Sequence, residues 1–227
     1  MSTPINIAID GPVASGKGTV TKALAARLGI PALDTGAMYR GVTVYLLDHQ
    51  VNLADEKAVL LMLNKVDLQI YMTDNLLRVF VGGRDVTARL RDNQVSINTA
   101  RVAAYPGVRD YVNRRIATVA SQGNYILEGR DIGTVVLPNA NYKFFLTASL
   151  EERARRRQID LRNKGEEVAY LEVMAQIKQR DQADMNRAVG PLKQATDAIL
   201  IDNTGLNLEQ TVDAMVAHLP PHLIKKI

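Results

Sequence analysis

The sequence predicts an α/β fold, a parallel sheet flanked by helices, on three observations. A glycine-rich loop, Gly11-Pro-Val-Ala-Ser-Gly-Lys-Gly-Thr19, joins an apolar run at residues 5–9 to helical periodicity that begins at Lys17. Further short apolar runs, at residues 31–33, 125–127, 142–146 and 198–201, lead into polar corners or helical segments. Between residues 51 and 106 this alternation gives way to period-two patterning. Strands that alternate with helices build a parallel sheet covered on both faces, and the period-two stretch reads as a small antiparallel meander inserted into it.

The elements follow in order. After the first strand and its loop, Val20, Ala23, Leu24 and Leu28 repeat at helical spacing, and Gly29 supplies a left-handed cap. Residues 31–33 form a brief strand ending in Asp34-Thr35-Gly36, and residues 37–49 a second helix. A short helical piece at 56–63 precedes the meander. There Val66, Leu68, Ile70 and Met72 alternate with polar partners, a turn falls at 73–75, and Leu77, Val79 and Val81 alternate again. Gly82-Gly83 then turns the chain into residues 84–87. Pro106 and Gly107 open a helix carrying Val108, Val112, Ile116 and Val119, which Gly123 closes. A buried strand at 125–127 ends in the corner Glu128-Gly-Arg-Asp131. A strand at 142–146, a highly charged helix at 151–162, a last strand at 198–201 and an amphipathic helix at 208–219 complete the chain. One domain of 227 residues is expected, with core segments 1–50, 107–150 and 171–227, an insertion at about 51–106 and a lid at about 151–170. Ligands of such sheets bind beyond the carboxyl ends of the strands. The corners at 11–19, 34–40 and 128–131 are therefore expected to open at one edge.

Composition narrows the chemistry. With 47% hydrophobic residues the chain can bury a core, and no apolar run approaches the roughly 20 residues a membrane span needs. No signal-peptide pattern opens it, so a cytoplasmic location is expected. The absence of cysteine excludes disulfides, thiol catalysis and thiolate metal sites. His49, His218 and His222 have neither metal nor triad spacing and read as exposed positions. The net charge of +4 is small, but the arginines are clustered, and clusters matter more than totals for binding anions.

The loop is where the chemistry starts. Glycines at this spacing let backbone N–H groups face a chain of phosphates while the lysine reaches the outer ones, and the following helix adds its positive end. The strict motif places Ser or Thr directly after the lysine; here Gly18 intervenes and Thr19 supplies the hydroxyl. Either direct contact with Mg²⁺ is weakened, or water and phosphate oxygens hold most of the metal's shell. Arg153, Arg156 and Arg157 lie at i, i+3 and i+4 on one helix face. They would repel one another without an anion to share, unless Glu151 and Glu152 balance them as a solvated face. Gly165 supplies the bend a closing lid needs. Val173, Ile177, Arg180, Asp184 and Arg187 form a stripe that starts apolar and ends charged. It reads as the wall of a cleft, with Asp184 near hydroxyls or between the arginines, or as a salt-bridge ladder on an exposed helix. Lys17, Arg40, Arg109, Arg130, Arg153, Arg156, Arg157, Arg180 and Arg187 exceed what one triphosphate requires. A second phosphorylated ligand would use the surplus, and arginine binds phosphate bidentately.

The loop at 11–19, Asp34-Thr-Gly-Ala-Met-Tyr-Arg40, Gly129-Arg-Asp-Ile-Gly-Thr134 and Arg180-Asp-Gln-Ala-Asp-Met-Asn-Arg187 together resemble the bacterial cytidylate kinases. These are nucleoside monophosphate kinases of the P-loop group, and the resemblance runs almost from end to end. It implies a P-loop NTPase core, a nucleotide-binding insertion, a helical lid, and transfer of the γ-phosphoryl of ATP to CMP or dCMP with Mg²⁺. For ATP it implies Gly11, Pro12, Val13, Ala14, Ser15, Gly16, Lys17, Gly18, Thr19 and Arg156, with Thr19 also addressing Mg²⁺ largely through water. Arg40, Arg130 and Arg187 are expected to grip the CMP phosphate, Arg109 and Asp131 the cytosine edge with Thr35 and Tyr39, and Arg180 and Asp184 the ribose. Lys17, Arg130, Arg187, Arg153 and Arg157 are the expected catalytic set, the last two on the lid. Ala100 stands where the family often presents a serine.

A phosphate acceptor is already ionised, so no general base is required. Two other readings use the same residues. One is a kinase for UMP, AMP or a small alcohol, with Asp34 as base. The other is a nucleotide-sensing regulator that binds nucleic acid, for which 5% aromatic residues and no tryptophan offer few stacking platforms. The expected partners are ATP and CMP or dCMP, without nucleic acid or membrane, and a monomer is expected.

Overall fold

The computed structural model describes residues 4–73 and 76–224. In chain order the strands are β1 (Asn6–Asp10), β2 (Ala32–Asp34), β3 (Leu68–Thr73), β4 (Leu76–Val81), β5 (Arg84–Asp85), β6 (Tyr125–Gly129), β7 (Tyr142–Thr147) and β8 (Ile199–Asp202). The helices are α1 (Lys17–Leu28), α2 (Thr35–Asp48), α3 (Glu56–Leu63), α4 (Asn93–Val102), α5 (Pro106–Ala120), α6 (Leu150–Arg162), α7 (Tyr170–Asn186) and α8 (Leu208–Val216). The chain divides into two compact units, one of residues 5–30 and 125 onward, the other of residues 31–124 with Pro4.

In the larger unit β6, β1, β7 and β8 lie side by side, all parallel. Their sequences are near-continuous apolar runs because helices cover both faces of such a sheet. Ile7, Ile9, Ile126, Phe144 and Ile201 from the strands pack with Val20, Leu24 and Leu28 of α1 and with Val212 and Met215 of α8. Each such side chain contributes roughly 1.5–3 kcal/mol by leaving water. Register puts Asp10, the last residue of β1, opposite Gly129, the last of β6. The loop at 11–16 and the corner at 130–131 therefore leave the same edge of the sheet. A second apolar cluster joins α6 to α7 through Ala154, Leu161, Val173 and Ile177, and Val13 and Ala14 of the loop pack against it.

In the unit of residues 31–124, β3 and β4 pair antiparallel, with Leu68 opposite Val81, and β4 turns into β5 through Gly82 and Gly83. Residues 74 and 75 of the expected turn lie outside the described residues. Helix α2 approaches this sheet closely at Gly41, where a β-carbon would come within 2.8 Å of Val79 Cγ1 and 3.0 Å of Leu68 Cδ1. It begins at Thr35, earlier than its apolar pattern suggests, because Asp34 in extended conformation serves as its N-cap residue.

Among the described residues α4, the π-helix and two short 3-10 helices escaped the sequence reading. After a 3-10 turn at Thr87–Arg91, α4 buries only Val95 and Val102 of its ten residues, too few to draw an apolar stripe. The π-helix Ile132–Val136 is too short for periodicity to mark it. Helix α8 stops at Val216, short of the expected residue 219, although Leu219 still packs into the core. Pro220 disfavours helical backbone at the residue before it.

Candidate active site

Gly11 opens the loop where no side chain fits: a β-carbon there would meet Leu146 O at 2.0 Å. Gly16, at φ 87°, turns the chain into α1. No N-cap side chain bonds to α1 and its first turn holds no acidic residue, so the positive end of its dipole has no carboxylate of its own helix beside it. Lys17 is buried, and its Nζ donates to Pro12 O at 2.7 Å and to Ser15 Oγ at 3.3 Å. Burial, and next the charge of Arg130, pull its pKa well below the usual lysine value, while Glu128 and Asp10 oppose the shift. Such a site is built for an anion. The N–H of Val13 does not face it, because that group donates to Asp181 Oδ1 at 3.1 Å.

Beside the loop, the corner after β6 is held from below by Asp10. The N–H groups of Ile132 and Gly133 donate to its two carboxylate oxygens at 2.9 and 2.8 Å. Burial raises Asp10 to about 6 despite these bonds; Asp131 adds to the rise and Lys17 opposes it. Above this anchor, Arg130 Nε donates to Asp184 Oδ2 at 2.8 Å and Arg187 Nη2 to Asp131 Oδ1 at 3.1 Å. Arg187 Nη1 stands 3.7 Å from Asp184 Oδ1, and its Nε donates to Gly190 O. The end of α7 and the β6 corner thus share a network of two arginines and two aspartates. Asp184 sits between Arg130 and Arg187, whereas the sequence placed it near hydroxyls or between Arg180 and Arg187. Arg180 lies exposed on α7, outside the network.

Arg153, Arg156 and Arg157 of α6 do not act as one face. Arg153 is buried and binds Val13 O, Ala148 O and Asp181. Arg156 donates to Glu152 and reaches both Oδ1 and the backbone oxygen of Asn203, at 3.0 and 2.9 Å. Asn203 in turn donates to Ser15 O at 3.1 Å, which ties Arg156 to the loop. Arg157 is half-buried on the next position. Glu152 also accepts from Arg155, so part of this charge is balanced within the helix.

In the other unit, Arg40 Nη2 donates to Asp34 Oδ2 at 3.2 Å across the corner that starts α2. Thr35 and Tyr39 are buried; the Tyr39 hydroxyl donates to Asn113 Oδ1 at 3.0 Å, and the Arg109 guanidinium lies 5.5 Å from its ring centroid. Arg109 also donates to Ala103 O at 3.4 Å. Ala100 is exposed on α4, and the neighbouring Thr99 hydroxyl is spent on Val95 O and Thr43 Oγ1.

Asp10, Asp181, Asn203 and Asn113 were missed from sequence. Asp10 carried a signal, a carboxylate closing an otherwise apolar strand. Asp181 carried another, since Val173, Ile177 and Asp181 follow at i, i+4 and i+8. Asn203 and Asn113 carried none.

Oxygen donors border the start of α1. Thr19 is exposed there, and Glu128 lies so near that a β-carbon on Gly18 would come within 3.1 Å of its Oε1. Among the described residues no group of three or more His, Cys, Asp or Glu side chains could cage a metal. This sparse, hard donor set fits Mg²⁺, which keeps several waters and takes phosphate oxygens.

The profile of the cytidylate kinase family matches residues 7–220. The cytidylate kinase of Carboxydothermus hydrogenoformans is 47% identical over 92% of this chain and 94% of its own. That of Caldanaerobacter subterraneus is 46% identical over 92% of both chains. The crystal structure of an uncharacterized protein from Eubacterium ventriosum matches 94% of this chain and 97% of its own with a TM-score of 0.50 at 14% identity, a likeness of fold alone. With the family profile spanning nearly all of it, the chain belongs to the cytidylate kinase family, a family of nucleoside monophosphate kinases.

Proposed function

We propose that this chain transfers the γ-phosphoryl group of ATP to CMP and dCMP, in line and without a general base. The observation that carries the reading is that one unit holds both the uncapped α1 with Lys17 and a separate pair of arginines, Arg130 and Arg187, oriented by Asp184 and Asp131. Two phosphorylated substrates repel each other, and each needs its own cations.

In this reading Lys17 and the loop amides hold the triphosphate, with Arg156 on the ATP side. Arg130 and Arg187 hold the acceptor phosphate and neutralise charge that develops on the transferred group, the largest contribution a protein makes to such a reaction. Asp131 accepts from the cytosine amino group, which disfavours the carbonyl that uracil presents there. Asp184 and Arg180 serve the ribose, and Arg157 the closing of α6 over the donor. From the unit of residues 31–124, Arg40 is assigned to the acceptor phosphate and Thr35, Tyr39 and Arg109 to the base. Mg²⁺, when bound, supplies charge neutralisation between phosphates, with Thr19 and Glu128 as the nearest protein oxygens to its water shell. Asp34, the base a small-alcohol kinase would need, is instead spent on Arg40.

A coupled assay of ADP release tests the reading with CMP, dCMP, UMP, AMP and small alcohols compared at equal ATP. Turnover is expected with CMP and dCMP well above the others. No ADP release with CMP would refute it.

A further inference from the structure

We infer that Asp181 and Arg153 are a positioning pair that fixes the tip of the ATP-binding loop and makes donor affinity depend on the α6–α7 helical pair. Both peptide groups of Val13 are bound by one ion pair. Its N–H donates to Asp181 Oδ1 at 3.1 Å, and its carbonyl accepts from Arg153 Nη1 at 3.0 Å. The same Arg153 Nη1 donates to Asp181 Oδ2 at 2.5 Å, which closes a ring of loop, α6 and α7. Arg153 Nε donates to Ala148 O at 3.1 Å, fixing the guanidinium plane. Both side chains are largely buried, at 9% and 13% exposure.

A buried ion pair is a poor way to gain stability, since an apolar pair of similar volume does as well. What this pair does that an apolar one could not is hold a backbone. The next residue, Ala14, sits at φ 59°, a left-handed conformation that residues with a β-carbon rarely adopt. Val13 and Ala14 also pack on the apolar cluster shared by α6 and α7. Loop tip and helices therefore form one cooperative unit, and the ring keeps the Val13 N–H turned away from the phosphates, leaving them to the N–H groups at the start of α1. Neither Asp181 nor Arg153 needs to touch ATP. The pair acts on the donor through Val13, which separates it from Arg130 and Arg187 on the acceptor side.

The inference rests on the reading of the loop as the ATP site, and the test keeps the two apart. Asp181→Asn preserves shape and an acceptor for Val13 but removes the charge that holds Arg153; Arg153→Lys keeps charge but loses the fork. Steady-state kinetics are run with ATP varied at saturating CMP and with CMP varied at saturating ATP. The expected result is a KM for ATP raised about tenfold, the loss of one charge-assisted hydrogen bond, with the KM for CMP unchanged. The double variant should be no worse than the more affected single one, because the two residues act as a unit. Equal changes in both KM values, or none, would overturn the pair's role while leaving the kinase reading intact.

If the parent protein releases no ADP with CMP, the kinase reading fails, and the upward shift of the unfolding temperature by ATP decides the pair's role without turnover. A smaller shift in Asp181→Asn than in the parent supports it, and an equal shift, or none in the parent, overturns it. Melting without nucleotide shows that each variant is folded; should Arg153→Lys not fold, Asp181→Asn carries the test.

Discussion

Asp10→Asn offers a test whose size and sign follow from the structure. Asp10 is only 4% exposed, and its rise from the ordinary 3.8 to about 6 corresponds to about 3 kcal/mol of unfavourable ionisation. Between these two values the folded protein holds a proton that the unfolded chain has released. Stability must then fall as pH rises from about 4 to about 6 and level off above. Asparagine has no such proton to hold, so the advantage of the parent over the variant should grow by about 2 kcal/mol between pH 7 and pH 4, where the unfolded carboxyl is still partly ionised. At pH 7 two effects oppose each other. The variant removes the buried charge, but its amide turns a donor toward the N–H of Ile132 or Gly133, leaving about 1–3 kcal/mol uncompensated. The variant should therefore be folded and close to the parent in stability there, yet have a misplaced Arg130–Asp131 corner. Urea unfolding of both proteins from pH 4 to 7.5 at constant ionic strength measures the difference. Parallel curves across that range would refute the assignment of the titration to Asp10.

The remaining expectations concern the two cationic sets and one packing contact. Because burial and Arg130 hold the Lys17 pKa low, a bound phosphate chain should raise it; ATP binding should take up protons at alkaline pH and weaken as pH rises. Calorimetry at high pH in two buffers of different ionisation enthalpy reads this directly, and equal heats would count against it. Arg130→Ala and Arg187→Ala should each lower kcat by about 10³ or more with ATP affinity, measured by equilibrium dialysis, unchanged; full turnover in either removes that arginine from the chemistry. Lys17→Ala should lose nearly all turnover even at saturating ATP, and near-normal kcat would sink the loop assignment. Gly41→Ala should destabilise by about 1–2 kcal/mol, overpacking against Val79 outweighing a helix-propensity gain of about 1 kcal/mol; a raised melting temperature would contradict the close approach of α2 to β3 and β4.

Most of the fold was legible because its elements carry strong periodicities. The buried strands read as apolar runs, α1 as a spaced row of leucines closed by Gly29, and the meander as alternation through Leu77, Val79 and Val81. What stayed hidden had no such row: α4, with two buried residues, and the five-residue π-helix. For the site, sequence shows which cations crowd together but not which way each of them turns. Arg153, Arg156 and Arg157 share a helix face by spacing, yet burial sends Arg153 inward to Asp181 while Arg156 turns to Asn203. Spacing gives direction around a helix but not the depth at which the helix is packed. The apolar row of α7 continues through Asp181 rather than Arg180, because a carboxylate with a buried arginine to meet can occupy a core position.

This arrangement alters the meaning of the arginine surplus. Counted along the chain, the cations form a field of like charge that would be unstable without an anion. In the structure the central ones already have carboxylates: Arg130 has Asp184, Arg187 has Asp131, Arg153 has Asp181, Arg156 has Glu152 and Arg40 has Asp34. Each carboxylate removes the repulsion that would otherwise splay its arginine and holds the guanidinium plane before any phosphate arrives. Arg130 engages Nε with Asp184 and Nη1 with Gly129 O, and a guanidinium fork carries five N–H donors in all. Charge developing on a transferred phosphoryl group would then meet donors that need no rearrangement, the condition under which electrostatic stabilisation costs least at the moment of reaction. The carboxylates, which bear no charge useful to a phosphate, are thus what sets the arginines in place.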